Sequence, residues 1–166
     1  MDRSVYVLDA NVFIEAARRY YAFDIAPKFW DSLIQHAANG VIESIDRVLE
    51  PELNKGKDEL AIWANGDFSH AFCSTDEDDV IESYKKVMAW VQSQSQFNDA
   101  AKAEFANEPD GWLVAYAVAK GRVVVTHEVL ASDARRKVPI PNVCEPFRVR
   151  YVDTFVMLRE LGVRFS

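Results

Sequence analysis

The sequence predicts an α/β fold, a three-layer α/β/α sandwich with a central, mostly parallel sheet. Short apolar runs typical of buried strands alternate with longer segments whose apolar residues recur at helical spacing. Glycine and proline stand mainly at the ends of these segments, where turns and helix caps use them. This alternation implies parallel strands joined by crossovers, with helices covering both faces of the sheet.

The predicted elements can be placed along the chain from these patterns. In chain order they are a strand at 5–8, helices at 11–21 and 27–40, a strand at 41–45, a helical segment at 47–64, helices at 75–92 and 108–121, strands at 122–126 and 147–153, and a helix at 154–162. Pro51 falls inside the segment 47–64. Thr75 is expected to cap the helix that follows it, and residues 137–144 are expected to form a loop.

Length and composition predict one domain, spanning residues 1–166, because 166 residues with 49% hydrophobic content suffice for one well-buried core. No window approaches the roughly 18 apolar residues of a membrane span, and the start MDRSVYV lacks a secretory apolar core. We therefore expect a chain without membrane association, located in the cytoplasm. Cys73 and Cys144 have no ligand-like spacing and are expected to be buried free thiols.

The net charge of −7 argues against binding nucleic acid through overall positive charge. Acidic residues gathered in one cleft can instead bind divalent cations, which reverse the local field toward a phosphate. Charge alone therefore leaves a metal-assisted reaction on phosphate groups open.

Four acidic residues are expected to meet at one edge of the sheet. Asp9 follows the first strand, Glu52 follows the second, Asp110 opens the helix before RVVVT, and Glu128 lies two residues beyond Thr126. In parallel α/β sheets, ligands bind outside the carboxyl ends of the strands, near the point where strand order reverses. A divalent cation would relieve the repulsion among these carboxylates, and hard oxygen ligands favour magnesium or manganese.

Each of these acids also has a structural interpretation. Asp9 is suited to capping the next helix, Asp110 to the positive end of its helix dipole, and Glu128 to a loop position near the edge of the sheet. Glu43 and Glu50 compete with Glu52 for the second acidic position, because the step at Pro51 leaves the register open.

The stretches LDAN, EL after the second strand, EPDGWLVAYA and VVVTHE together resemble the PIN-domain superfamily of metal-dependent nucleases, which includes the VapC-type toxins. KVPIPNVCEPF and DTFVMLRELGVRF are similar to the closing segments of an uncharacterised PIN branch of bacteria and archaea. The likeness thus extends nearly from end to end.

The resemblance implies a metal-dependent endoribonuclease, the toxin of a toxin–antitoxin pair, with one or two Mg²⁺ or Mn²⁺ ions as cofactor. It also implies an RNA substrate, a cognate antitoxin as partner, and dimerisation, which is frequent among PIN domains. The residues that match the family's site are Asp9, Glu52, Asp110 and Glu128 as metal ligands, with Asn11 and Thr126 orienting carboxylates or water. Glu128 stands where the family's Thr-x-Asp step has an aspartate.

Other residues near these motifs are given lesser roles. His127 is expected to be an exposed neighbour rather than a general base, because metal-bound water needs no histidine to become nucleophilic. Basic residues beside the site either hold an RNA backbone or form a solvated charge run; they are Arg18, Arg19, Arg135, Arg136 and Lys137. The tryptophans are assigned to the core.

Two other functions remain open. A haloacid-dehalogenase-type phosphatase also begins with an aspartate after an apolar strand, but its general acid lies two residues later, where this chain has Asn11. A catalytically silent PIN-like binding or regulatory module is the second, and the presence of Glu128 in place of aspartate favours it.

Overall fold

In the computed structural model, which describes residues 3–165, five short strands form one all-parallel sheet in the order β3-β2-β1-β4-β5. The strands are β1 (Tyr6–Leu8), β2 (Ile42–Ile45), β3 (Phe72–Cys73), β4 (Val123–Val125) and β5 (Tyr151–Val152). Met1 and Asp2, which belong to the stretch used to predict the absence of a secretory segment, lie outside the described residues, as does Ser166.

The helices lie between these strands and cover the sheet. They are α1 (Ala10–Glu15), α2 (Pro27–Ala38), α3 (Glu59–Ala64), α4 (Asp78–Ser93), α5 (Asp99–Asn107), α6 (Asp110–Lys120), α7 (Ile140–Cys144) and α8 (Thr154–Glu160). A wider π-helical turn, Ala16–Tyr20, continues α1. Right-handed crossovers place the helices after β1 and β2 on one face and those after β3 and β4 on the other. The predicted three-layer α/β/α fold is therefore confirmed.

The central strands are buried on both faces, which explains their apolar sequences. Every residue of β1 and β4 is buried, and the two strands pair in register, Val7 opposite Val124. Side chains from the helices complete the core around them, with Phe13, Trp30 and Leu113 at most 2% exposed. Strands that face helices on both sides have no polar face to present, so they appear as continuous apolar runs.

The helix predicted across residues 47–64 is broken. Helical turns cover Val48–Leu53 and Asn54–Gly56, but Glu50 has extended backbone angles (φ −120°, ψ 115°). Proline disfavours helical angles at the residue before it, and Pro51 has that effect on Glu50. A regular helix resumes only in α3.

Three further expectations needed correction. Thr75 does not cap α4, whose N-cap is Glu77; its hydroxyl instead donates to Asp46 Oδ1 at 2.8 Å and accepts from Arg47 Nε at 2.9 Å. Residues 137–144 are not all loop, because they contain α7. Neither β3 nor α5 was predicted.

The cysteines are free, with Cys144 buried and Cys73 half-buried. No helix within residues 3–165 is both long enough and apolar enough to cross a membrane.

Candidate active site

The strand order places a reversal point between β1 and β4, because the chain runs outward from β1 to β2 and β3, then returns to β4 on the other side. Clefts at the carboxyl ends of strands beside such a point are the usual ligand sites of open α/β sheets. Asp9 directly follows β1 and Thr126 directly follows β4. Both residues are only 2% exposed.

Asp9 stands at the N-cap position of α1, but its carboxylate makes no capping hydrogen bond. It accepts a hydrogen bond from Thr126 Oγ1, which lies 3.1 Å from Asp9 Oδ2. The backbone supports this contact, because Asp9 N donates to Val125 O at 3.0 Å. The carboxylate thus contacts β4 through Thr126, while the backbone N–H groups of Ala10 and Asn11, at the start of α1, also lower its pKa.

Asp110 opens α6 and is 9% exposed. The next residue, Gly111, allows the start of α6 to pack closely, since a Cβ there would lie 3.1 Å from Phe105 Cε2 and 3.2 Å from Tyr84 Cε1. Burial raises the pKa of Asp110 to about 9, and the charges of Asp9 and then Glu128 contribute further. Asp110 thus shares an electrostatic environment with the strand-end acids.

The pKa of Asp9 is raised in the same way. Burial is the main cause and the charge of Glu128 the second, and together they raise this pKa to about 7, while the Thr126 hydrogen bond opposes the shift. Buried carboxylates with raised pKa values in a strand-end cluster are typical of functional sites. Asp9, Asp110 and Glu128 are the group that we call the carboxylate cluster.

Glu128 is held by its own contacts at the edge of this cluster. Its Oε1 accepts from Ile140 N at 3.0 Å, and its Oε2 lies 3.8 Å from Lys137 Nζ. The Glu128 backbone N–H donates to Thr126 Oγ1 at 3.1 Å. Thr126 therefore accepts from one cluster member and donates to another, as expected for a residue that orients carboxylates.

Glu52, the second acid predicted from the sequence, lines a cavity that also includes Pro109, the residue before Asp110. Glu52 is half-buried and lines this cavity of about 120 Å³ together with Glu108 and Trp112. Among residues 3–165, no hydrogen bond or ion pair joins Glu52 to Asp9 or Asp110.

Glu43 and Glu50, the two alternatives to Glu52, form contacts with other residues. Glu43 forms an ion pair with Arg122, 2.7 Å between Oε1 and Nε, and also accepts from the Tyr116 hydroxyl. Glu50 is exposed and accepts from Asn54 Nδ2 at 2.8 Å. Neither contributes to the raised pKa values of Asp9 and Asp110.

Glu108 is an additional acid that the sequence analysis did not select. Its charge raises the pKa of Asp110, two residues later, while its own pKa is raised by burial and by Glu104. The stretch EPDGW already contained the signal, since Glu108 and Asp110 both flank Pro109 at the start of α6.

The remaining predicted residues have mixed positions. Asn11 is exposed, and in the described part of the chain its side chain makes no hydrogen bond. His127 is half-buried rather than exposed; its Nε2 lies 2.9 Å from Thr154 Oγ1, and its ring packs on Tyr20 and Phe155. Its ring nitrogen thus contacts α8 and not the carboxylate cluster.

Among the predicted basic residues, and within residues 3–165, Lys137 contacts the cluster through Glu128. Lys137 also lowers the pKa of Asp110 by its charge. Arg19 pairs with Glu15 at 3.3 Å, and Arg18 lines a separate cavity beside Glu52.

The geometry for direct metal coordination is incomplete. Across residues 3–165, no three His, Cys, Asp or Glu side chains converge closely enough to hold one ion. Magnesium, however, usually keeps several waters and takes only one or two protein carboxylates together with substrate phosphates. Asp9 and Asp110 fit such a site, because their carboxylates are hard oxygen donors and a bound cation would relieve the repulsion between them.

Comparison with known proteins gives one match. A family model described as Domain of unknown function (DUF4411) matches residues 6–165. No curated protein matches the chain.

Proposed function

The chain belongs to the DUF4411 family, and from its site we propose that it is a Mg²⁺- or Mn²⁺-dependent endoribonuclease of PIN-like type. The observation that carries this proposal is the pair of buried aspartates, Asp9 and Asp110: burial raises the pKa of both, and the charge of Asp9 raises the pKa of Asp110 further. In the absence of a ligand, such a pair lowers the stability of the folded chain, because desolvated like charges are unfavourable. A divalent cation removes that cost.

Asp9 and Asp110 would hold the cation, with Glu128 at its outer side because its oxygens are engaged by Ile140 N and Lys137. A bound magnesium or manganese ion supplies a water of lowered pKa and polarises the scissile phosphate. Two carboxylates leave coordination positions for water and for substrate oxygens.

The chain's own residues would complete the site. The Thr126 hydroxyl fixes the orientation of the Asp9 carboxylate, as partners of metal ligands commonly do. The Lys137 side chain is 56% exposed and stands beside Glu128, so its ammonium group is able to contact a substrate phosphate. The resemblance to PIN nucleases, rather than any contact described above, makes RNA the proposed substrate, and an RNA substrate implies action in the cytoplasm.

The same resemblance extends the proposal to a toxin that a cognate antitoxin inhibits, and to dimerisation. Co-purification with the product of the neighbouring gene tests the antitoxin. Repeated recovery of an unpartnered protein that is harmless to cells would contradict that part of the proposal alone.

The test of the nuclease is cleavage of a mixed RNA pool by the full chain, with and without manganese. We expect metal-dependent cleavage that falls by about 100-fold or more in Asp9→Asn and Asp110→Asn, since even partners of metal ligands account for 10–100-fold. Asp67→Asn is the matched control, because Asp67 is exposed and far along the chain from the site. Full metal-dependent activity in folded Asp9→Asn would refute the proposed site.

A catalytically silent binding module is the second candidate. The engagement of Glu128 by Ile140 N and Lys137, and the lack of a three-ligand group within residues 3–165, favour it. Calorimetric titration with magnesium and manganese separates the two. Binding that Asp9→Asn abolishes supports the nuclease, whereas no binding by folded wild-type protein supports the silent module.

A further inference from the structure

A second charged site lies at the opposite end of the sheet from the carboxylate cluster. Four arginines stand just before three of the strands: Arg3 before β1, Arg122 before β4, and Arg148 and Arg150 before β5. They line one cleft of about 430 Å³, and no Asp or Glu among residues 3–165 is part of its lining. A basic cleft is unexpected in a chain of net charge −7. We call it the arginine cleft.

Two of these arginines are fixed by acidic partners that do not line the cleft itself. Arg122 pairs with Glu43, and Arg150 pairs with Glu160 through both guanidinium nitrogens. The Tyr6 hydroxyl donates to Glu160 as well, at 2.5 Å. Each guanidinium is therefore held in place while part of its hydrogen-bonding capacity remains for a ligand.

Arg148 differs from them. It is exposed, and its side chain makes no hydrogen bond or ion pair within the part of the chain that the structure describes. Its backbone has φ +57°, the left-handed region that favours glycine at the end of a helix. Hydrogen bonds from Arg148 N to Glu145 O and from Val149 N to Cys144 O hold this turn after α7.

Arginine is an uncommon residue in this left-handed conformation, and glycine would adopt the same turn without strain. Here the turn places an unpaired cation beside the cleft. Phe147, a half-buried aromatic residue, lines the cleft next to it.

The arginine cleft adjoins a larger cavity of about 550 Å³, with which it shares Arg3, Ser4 and Arg150. Together the two cavities form a groove along the amino ends of the strands; Glu160, whose carboxylate pairs with Arg150, lines the larger cavity. Such a groove is longer than a single phosphate group needs, and it suits an extended polyanion. Guanidinium groups bind phosphate oxygens in a planar, two-pronged geometry.

We propose that the arginine cleft binds the phosphodiester backbone of single-stranded nucleic acid. Arginines along a groove with an adjacent aromatic side chain are the combination that binds single strands without sequence preference. The inference needs no catalysis and holds whether or not the carboxylate cluster cleaves RNA. If it does, β1 separates the two sites by only roughly 10 Å, three residues at 3.3 Å each.

The experiment measures binding by fluorescence anisotropy, using the full chain, EDTA, and a labelled single-stranded DNA of about 12 nucleotides. Titrations at several salt concentrations between about 50 and 200 mM give the slope of log K against log salt. We expect Arg148→Gln to weaken binding several-fold and to make the slope less negative by about 0.7, the value for one single-strand phosphate contact. Arg148→Lys should keep the wild-type slope.

Two variants serve as controls. Lys85→Gln removes one positive charge from the exposed face of α4 and should match wild type in affinity and slope. Arg148→Gly removes the charge but suits the left-handed backbone, so it should keep the turn, and a thermal melt checks that this variant is folded. Equal slopes for Arg148→Gln, Arg148→Gly and Lys85→Gln would overturn the proposal.

Competition distinguishes the source of the anion. Unlabelled oligonucleotide should displace the probe far better than pyrophosphate or a polyglutamate peptide. Displacement by polyglutamate equal to that by the oligonucleotide would indicate an acidic protein partner and overturn the nucleic-acid proposal. Because no metal is present, failure here leaves the nuclease proposal intact, and failure of RNA cleavage leaves this one intact.

Discussion

The Thr126 hydroxyl donates a hydrogen bond to the Asp9 carboxylate, 3.1 Å away, and so joins the carboxyl ends of β1 and β4. The same oxygen accepts from the Glu128 backbone N–H. One side chain therefore positions two members of the carboxylate cluster.

Removing this hydroxyl gives the first prediction. In Thr126→Val the Asp9 carboxylate loses the hydrogen bond that lowers its pKa, so this pKa should rise further and metal binding at neutral pH should weaken. Loss of such a supporting partner reduces metal affinity or activity by about 10–100-fold. Thr126→Ser keeps the hydroxyl and should remain close to wild type. Calorimetry with manganese and thermal melts of both variants give the measurement, and identical affinities for the two would contradict the orienting role.

The second prediction concerns metal-free stability. Asp9→Asn and Asp110→Asn each replace a buried acid, whose pKa is raised by folding, with an amide that does not ionise, so both proteins should be more stable than wild type at pH 8 in EDTA. A gain of about 1–2 kcal/mol in the free energy of unfolding corresponds to roughly 2–8 °C in Tm for a chain of this size.

The exposed-site control, Asp67→Asn, should leave the melting temperature unchanged. In magnesium the order should reverse, because wild type alone gains stability by binding the ion. Equal melting temperatures for wild type and Asp9→Asn in both buffers would show that the cluster carries no strain.

The pH dependence of stability follows from the same groups. The pKa values of Asp9 and Asp110 in the folded chain, about 7 and about 9, lie above the ordinary value of about 3.9 for the unfolded chain. Between these values the folded state binds more protons than the unfolded state, so raising the pH lowers the free energy of unfolding. Stability of the metal-free protein should therefore fall from pH 6 to about pH 9.

Urea denaturation in EDTA at several pH values measures this fall. The double variant Asp9→Asn/Asp110→Asn should show a flatter profile over the same window, since neither amide titrates. Saturating magnesium should flatten the wild-type profile as well. A wild-type profile that rises with pH across this window would reverse the sign and exclude the raised pKa values.

That Asp9, Asp110 and Glu128 lie at one edge of the sheet was predictable because it depends on topology. The carboxyl ends of neighbouring parallel strands share one edge, which Asp9 and Glu128 follow, and α6, which leads back to the start of β4, begins at that edge with Asp110. The pattern named these three acids and Thr126 together with Glu52 and Asn11, and their service in one functional site stays a prediction. The order of strands about β1 and β4 then decided which ends are adjacent.

Other features depend on packing that periodicity does not report. The strand β3 has two residues and α5 has a weakly amphipathic sequence, so neither produced a clear pattern. Glu108 lies near Asp110 because α5 ends immediately before α6. Since α5 was not predicted, the sequence analysis did not place Glu108 there. The left-handed turn at Arg148 likewise leaves no sequence signal, since arginine is not typical of that conformation.

The last prediction decides which carboxylate is the second acid. The resemblance to PIN nucleases assigns this role to Glu52, whereas the charge of Glu108 raises the pKa of Asp110 after burial, Asp9 and Glu128. Both line the cavity of about 120 Å³ beside the site. We expect Glu52→Gln to reduce metal-dependent RNA cleavage by about 10-fold or more, the lower range for loss of a metal-site group. Glu108→Gln should reduce cleavage less but stabilise the metal-free protein, because it removes a repulsive charge from Asp110.

Initial cleavage rates with manganese, measured beside melts in EDTA, separate the two residues. Glu59 is an exposed acid in the first turn of α3, and Glu59→Gln is the matched control. It should change neither the cleavage rate nor the melting temperature. Glu50→Gln should behave like the control, since Glu50 is exposed and already bonded to Asn54. If Glu108→Gln instead causes the larger loss and Glu52→Gln matches the control, the second acid is Glu108, and the family's assignment does not transfer to this chain at that position.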